Sequence, residues 1–473
     1  MTTSAVDSST RSISQVVAGL REAYDSGRTQ DASWRIDQLD ALRRLIEENE
    51  AQLFQALRDD LGKSTTEAWA GELGFLISEI SYTRKNLWSW MRPTRVQTPL
   101  ACQPGKSWIQ PQPLGVVLIV GAWNYPVDLL LGPLVGAIAA GNCAVLKPSE
   151  QAAATAALMG QLLPRYLDTD CFSVVQGGAD ETGELLRERF DLIFYTGGGA
   201  VAKVVMRAAA ENLTPVVLEL GGKCPAIVDR DVNPVTAGRR IAWGRFMNAG
   251  QTCVAPDYVL VDADIEEPLI EAMVAAVEEF FGPRPAESDD YGRIINGRHV
   301  ERLADLLNKT TDAQTKSGEV VIGGQWDVEL RYFAPTILKN VSPDAAIMGE
   351  EIFGPILPVI SISGIDEALD FIRAKPKPLA VYAFTHDKDT EHRVLHETSS
   401  GGVCINDVIM QLTALGLPFG GVGASGMGAY HGRHSFETFS HKKAVMRRAL
   451  NPDLKLRYPP YDEKKLKWLR RLV

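Results

Sequence analysis

Apolar residues recur every three to four positions near the start of the chain. Ile13, Val16, Val17, Leu20 and Tyr24 fall on one helical face, and Leu39, Leu42, Ile46, Leu53 and Leu57 lie on one face of a second, longer helix. Both helices need a surface to cover. The polar, proline-containing stretch RPTRVQTPLACQPGKSWIQPQP, residues 92–113, breaks the helical spacing with alternating β-formers and reads as an excursion, a β-hairpin arm. From residue 115 the texture becomes short apolar runs separated by helix-length segments: GVVLIVG, GNCAVLKPSE, CFSVVQGG, DLIFYTGGG and PVVLELGGK. Near-continuous Val, Ile and Leu runs alternating with helices are what a parallel sheet buried on both faces produces, so a doubly wound α/β domain is expected. After about residue 223 the alternation resumes with PAIVD, YVLVD, GEVVIGG, APTILKN, PILPVISI, LAVYAF and GGVCIND, which implies a second α/β domain.

Composition narrows the function classes. With 473 residues, 45% hydrophobic and 23% charged, the chain reads as a soluble globular protein with more than one core. A net charge of −10 repels nucleic acid and anionic membrane, which argues against a basic-groove binder. The six cysteines, at 102, 143, 171, 224, 253 and 404, have neither CxxC nor metal-ligand spacing, so reduced thiols, no metal and a cytoplasmic setting are expected. The first 30 residues lack an apolar signal region, and no run of 18 apolar residues occurs. The basic end, KKLKWLRRLV, could lie on a membrane surface, although a solvated helix face or a subunit contact is the commoner fate of such a run.

In doubly wound sheets ligands sit beyond the carboxyl ends of the strands, so the residues just after each run carry the chemical candidates. GAWNYP places Asn124 between a strand and a helix, where its amide could hold a developing oxyanion or simply cap the loop. LKPSE carries Lys147, Ser149 and Glu150, of which the lysine and the carboxylate could hold a ribose hydroxyl pair or form a solvated surface pair. FYTGGG is a strand end, a triple glycine and then a helix; Gly197 and Gly198 there suit a phosphate or a plain tight turn. VVLELGGK puts Glu219 among apolar neighbours, which raises a carboxyl towards the range of a general base. In FMNAGQTCVAP, small residues around Cys253 leave room for a substrate, whereas the other five cysteines read as ordinary buried thiols. EEIFGP offers Glu351 and Phe353, which could contact a ribose and a ring or cap a strand.

Taken together, GAWNYP, LKPSE, FYTGGG, LELGGK, NAGQTC and EEIFGP, in that order and spacing, resemble the aldehyde dehydrogenase superfamily from about residue 10 to the end. The closing SGMGAYHGRHSFETFSHKK and RYPPYDEKKLKWLRRL resemble its class 3 branch, the dimeric fatty and aromatic aldehyde dehydrogenases. The resemblance implies Cys253 as nucleophile, Glu219 as general base, and Asn124 sharing the oxyanion hole with the Cys253 N–H. It implies Lys147 and Glu150 at the adenosine ribose, with Ser149 among the cofactor-binding residues, Gly197 and Gly198 at the pyrophosphate, and Glu351 with Phe353 at the nicotinamide ribose. Trp123 and Tyr125 are expected at the mouth where cofactor and aldehyde meet, Trp123 on the cofactor side and Tyr125 on the substrate side. Ala202 stands where a glycine is usual, a change between two small residues. The implied domains are a dinucleotide-binding unit from 1–91 and 114–222 and a catalytic unit from 223–407. An oligomerisation arm from 92–113 and 408–450 and a tail from 451–473 complete the division.

The expected reaction is NAD- or NADP-dependent oxidation of medium- or long-chain aliphatic or aromatic aldehydes to carboxylic acids, in a homodimer, through a cysteine thiohemiacetal and thioester. Glu150 favours a free 2′-hydroxyl and therefore NAD, while Lys147 could pair a 2′-phosphate. A CoA-acylating dehydrogenase differs only in the thiol that accepts the acyl group, and Glu219 argues for water. A cofactor-free Cys/Glu/Lys hydrolase of nitrilase type leaves the GGG and KPSE strand ends without a purpose. A binding protein without turnover is disfavoured by the filling of every catalytic position.

Overall fold

The five apolar runs that begin at residue 115 pair side by side. In the computed structural model, which describes residues 11–314, 317–453 and 455–471, they form a six-stranded sheet. Its order is Gly426–Met427, Val216–Glu219, Leu192–Thr196, Val116–Val120, Cys143–Lys147 and Phe172–Val174. All neighbours are parallel except the added Gly426–Met427, which pairs antiparallel with Val216–Glu219. Every residue of Val116–Val120, Cys143–Lys147 and Leu192–Thr196 is buried, because helices cover both faces. The chain leaves the central strand Val116–Val120 first to one side and then to the other. Strand order therefore reverses between Val116–Val120 and Leu192–Thr196, and the loops Gly121–Tyr125 and Gly197–Gly199 flank the reversal. The first ten residues of segment 1–91, and Leu472 and Val473 of the basic end, lie outside the described residues.

All seven later strand candidates are strands of one sheet. Its order is Glu319–Ile322, Thr336–Lys339, Ile356–Ile362, Pro256–Asp262, Cys224–Val228, Ala380–Phe384 and Gly402–Ile405, parallel except for the outermost Glu319–Ile322. The α/β fold class legible in the apolar runs is thus the observed one. A third sheet is antiparallel, with Gly105–Pro113 between Thr94–Val96 and Ser440–Arg448; the last strand follows its partner from Ser440 opposite Pro113 to Arg448 opposite Gly105.

The second N-terminal helix is not continuous. Ala32–Glu48 and Glu50–Leu61 are separate helices that meet at Asn49 (φ −120°, ψ 21°), whose side-chain amide donates to the Leu45 carbonyl at 2.8 Å. Asparagine offers the backbone an alternative to the helical bond, which apolar spacing does not register. Leu39, Leu42, Ile46, Leu53 and Leu57 are nevertheless all fully buried. The helix Asp128–Ala140 has no capping side chain at its own N-terminus; the Glu72 carboxylate accepts from the Val127 and Asp128 N–H groups at 2.8 and 3.2 Å instead. No helix among the described residues is long and apolar enough to cross a membrane. The short helix Glu463–Leu469 leaves Leu466 and Trp468 exposed.

Candidate active site

The turn that carries Cys253 is backbone that few sequences adopt. After the helix Pro234–Phe246, Asn248 (φ 51°), Ala249 (φ 49°) and Gly250 (φ 75°) are left-handed in succession. Each of the first two costs about 1 kcal/mol, so the surroundings must hold them. The Asn248 N–H donates to the Glu67 carboxylate, and its side-chain amide donates to the carbonyls of Asn124 (2.8 Å) and Gln251 (3.1 Å). Gln251 donates to the carbonyls of Asn248 (3.0 Å) and Arg293 (2.9 Å) and accepts from the Ile295 N–H (2.9 Å). At Gly250 the backbone presses on the Gly354 carbonyl with no room for a Cβ, which ties this turn to the EEIFGP segment.

The GAWNYP loop is fastened to the same turn. Asn124 donates its side-chain amide to the Gln251 carbonyl at 3.1 Å, and the Tyr125 hydroxyl meets Thr252 Oγ1 at 2.7 Å. Behind the loop lies an ion pair that sequence reading missed: Lys63 Nζ to Glu72 Oε1 at 2.6 Å, both side chains 0% exposed. Lys63 also donates to the Asn124 carbonyl at 2.9 Å and sits 3.9 Å from the centre of the Tyr125 ring.

Burial raises the pKa of the titratable groups gathered here. Burial, followed by Glu351 and Glu219, pushes the Cys253 thiol up, against the pull of the Cys253 and Val254 N–H groups. Glu219, 3% exposed at the end of Val216–Glu219, has no hydrogen-bond partner on either oxygen among the described residues, and burial pushes its carboxyl well up. Glu351 is pushed up to about 8 by burial and then by Asp257, against the Gly222 N–H, Lys223 and Arg245. Its Oε1 is also without a partner among the described residues, and its carboxylate lies against Gly221, where a Cβ would collide with it. Buried polar atoms left open like these fit a site completed by a ligand.

The cofactor-side candidates gather at the strand-order reversal. Gly198 precedes the helix Gly199–Glu211, which has no capping side chain, and a Cβ at Gly198 or Gly199 would meet nothing within 4 Å, so backbone N–H groups stand open to an anion. Lys147 is buried; its ammonium donates to the Pro148 carbonyl at 2.8 Å and meets Glu150 Oε2 at 3.3 Å. Ser149 is half-buried beside the exposed Glu150. Trp123 packs edge-on against Phe353 at 5.3 Å and against His299 at 5.2 Å. Phe353 is itself left-handed (φ 46°), and the buried His299 Nδ1 has no partner among the described residues, a neighbour for which the sequence carried no motif. These open donors, glycines and unpartnered carboxylates fit a dinucleotide.

On the other side of Cys253 lies a cavity of about 410 Å³. Tyr125 lines it, whereas Trp123 does not. Phe75, Trp243, Met410, Phe419, Tyr430 and His431 give it an apolar, aromatic wall. None of these six was a sequence candidate, because they come from helices and loops distant in the chain. Three of them, Phe419, Tyr430 and His431, lie in the glycine-rich stretch PFGGVGASGMGAYHGRHSF.

A sequence profile described as the aldehyde dehydrogenase family matches residues 2–445. The chain is 49% identical over 456 residues to aldehyde dehydrogenase family 3 member A2 of Mus musculus, covering 96% of this chain and 93% of that protein. It is 48% identical over 454 residues to the dimeric NADP-preferring aldehyde dehydrogenase of the same organism, with 96% of this chain and 98% of that protein covered. Among solved structures it resembles AldH of Staphylococcus aureus in its substrate-bound state, at 44% identity and a TM-score of 0.93, over 98% of this chain and 99% of that one. The chain belongs to the aldehyde dehydrogenase family, and its reaction is the NAD(P)-dependent oxidation of aldehydes.

Proposed function

We propose that the reaction runs through Cys253. Its thiolate adds to the aldehyde carbon, and the oxyanion of the thiohemiacetal is held by the Asn124 amide and the Cys253 N–H. NAD or NADP, when bound, supplies the hydride acceptor. Loss of hydride leaves a thioester on Cys253; water then adds to it, Glu219 takes the water's proton, and the thiolate leaves as the carboxylic acid is released. The observation that carries this reading is the position of Cys253 at the wall of the apolar cavity, with the loop of Asn124 fastened to the residues just before it by the Gln251 and Thr252 contacts.

Lys147, Ser149 and Glu150 hold the adenosine ribose, Gly197 and Gly198 the pyrophosphate, and Trp123, Glu351 and Phe353 the nicotinamide side. Both cofactors are accepted, since Glu150 suits a 2′-hydroxyl and Lys147 a 2′-phosphate. Tyr125 and the aromatic wall receive medium- or long-chain aliphatic or aromatic aldehydes. Glu219, buried and without a partner, supports release to water rather than to CoA. The six-stranded sheet forms the cofactor domain and the seven-stranded sheet the catalytic one. The three-stranded sheet bridges to a second copy, a reading supported by the exposed strand Ser440–Arg448. Six free thiols support a reducing, cytoplasmic setting.

The test is Cys253→Ala. Reduction of NAD(P) on adding aldehyde should vanish, while nucleotide binding, followed by protein fluorescence, stays within about twofold; full retained turnover overturns the assignment. An aldehyde panel from short aliphatic through long-chain to aromatic, run with each cofactor and with and without CoA, checks the substrate class and the acyl acceptor.

A further inference from the structure

The segment 347–354, which carries Glu351 and Phe353, lies outside the regular strands and is held mainly by charged side chains. Lys223 Nζ donates to the carbonyls of Ile347 and Glu350, both at 2.9 Å, and its third donor goes to Asp257 Oδ2 at 2.7 Å. Arg245 donates to the Gly354 carbonyl and to Asp257 Oδ1, the latter at 3.0 Å. Arg302, from the helix Gly297–Thr311, donates to the Ile352 carbonyl at 2.5 Å and to Glu350 Oε1 at 2.9 Å. Asp257 itself accepts from the Ile352 N–H, at 3.2 Å on Oδ1 and 3.5 Å on Oδ2.

These charges are deeply placed. The side chains of Arg245 and Asp257 are 1% and 2% exposed and that of Lys223 is 12% exposed, so their separation from water is expensive. Backbone pairing alone would have satisfied the loop's carbonyls more cheaply. What the charges add is direction, because Asp257 follows the Cys253 turn in sequence, opens the strand Pro256–Asp262, and reaches back to the loop from there. The same two cations and Asp257 are also the charged groups that face the Glu351 carboxyl.

We propose that Asp257, braced between Lys223 and Arg245, is a positioning residue: it fixes the backbone of residues 347–354 relative to the Cys253 turn, and so sets where Glu351 and Phe353 meet the cofactor. The proposal rests on the reading of Glu351 and Phe353 as cofactor contacts. Asp257 touches neither substrate nor cofactor and acts only through the loop.

The test compares two activities of the full-length enzyme. Hydrolysis of p-nitrophenyl acetate needs the thiol and the base but no cofactor, whereas aldehyde oxidation needs the loop as well. In Asp257→Asn, ester hydrolysis should stay within about twofold of the parent, while KM for NAD(P) rises and dehydrogenase kcat falls, each by about tenfold, a size typical of a reacting group displaced by less than 1 Å. Lys223→Met, which releases two loop carbonyls and keeps the Asp257 to Arg245 pair, should shift the same quantities in the same direction. Should Asp257→Asn not fold, Lys223→Met carries the test. Parallel loss of both activities overturns the proposal in favour of plain structural support, and unchanged dehydrogenase kinetics overturn it outright. Glu351→Gln separates the two readings: if it leaves cofactor KM and kcat unchanged, the cofactor role of the loop falls and the proposal with it. A damaged Glu351→Gln enzyme beside an intact Asp257→Asn enzyme refutes the positioning alone.

Discussion

Replacing Lys63 with methionine tests whether the ion pair behind Asn124 shapes the active site or merely fills space. The ammonium makes a 2.6 Å contact to Glu72 and a 2.9 Å contact to the Asn124 carbonyl, with both ion-pair side chains fully buried. Removing one partner of such a pair typically costs about 3–5 kcal/mol, because the other charge is left buried. The loss in Lys63→Met is therefore expected at about 3 kcal/mol, read from urea denaturation followed by fluorescence.

A second substitution sharpens the expectation. The Val127 and Asp128 N–H groups both donate to the same oxygen, Glu72 Oε2, so a glutamine at that position can keep both bonds with its carbonyl. Lys63→Met combined with Glu72→Gln should recover at least half of the lost stability, whereas Glu72→Gln alone strands Lys63 and recovers nothing. Turnover should fall by about tenfold in Lys63→Met, less than the roughly hundred- to thousandfold loss on deleting an oxyanion donor, because the Asn248 amide still holds the Asn124 carbonyl. A stability loss under about 1 kcal/mol, or a double variant no more stable than Lys63→Met, refutes the reasoning.

Glu219→Gln should slow breakdown of the acyl-enzyme, so that mass spectrometry of the variant mixed with aldehyde and NAD(P) shows a persistent adduct on Cys253; undiminished steady-state turnover without an adduct counts against Glu219 as the base. Glu79, on the helix Gly74–Trp90, accepts from the Gly432 N–H at 3.1 Å and is pushed by burial from 4.5 up to about 7. A carboxyl raised in the folded state binds its proton more tightly there, so its contribution to stability is present below about pH 4.5 and is lost as pH rises to about 7. Glu79→Gln removes that dependence: the variant should gain in melting temperature relative to the parent between pH 5 and pH 8, and a constant difference across that range would show that Glu79 does not titrate as described.

Much of the scaffold was legible because it is encoded locally. Runs such as VVLIV and CAVL are apolar at every position, and a strand buried on both faces is the structure that satisfies them, so both parallel sheets follow from pattern alone. The break at Asn49 escaped because a side-chain hydrogen bond to the Leu45 carbonyl competes with the helix without altering its apolar spacing. The motif residues were legible as chemical types at strand ends, yet nothing in NAGQTC states that Asn248 and Ala249 are left-handed, or that Glu67 and Asn124 hold them there.

What only the tertiary structure decided is which distant residues meet. Lys63 reaches Asn124 across 61 positions and Arg245 reaches Gly354 across 109, and in both cases a lysine or arginine unremarkable in sequence becomes significant by losing its water. Charge burial is a property of the packed molecule, since the same side chain on a solvated face costs nothing and aligns nothing. The sequence by itself determined the fold class, the family and the residue types that stand at the strand ends, all written in local pattern. The raised pKa values of the thiol and carboxyls, the 410 Å³ aromatic cavity and the charged brace of the 347–354 loop exist only once the sheets have packed and water has been excluded.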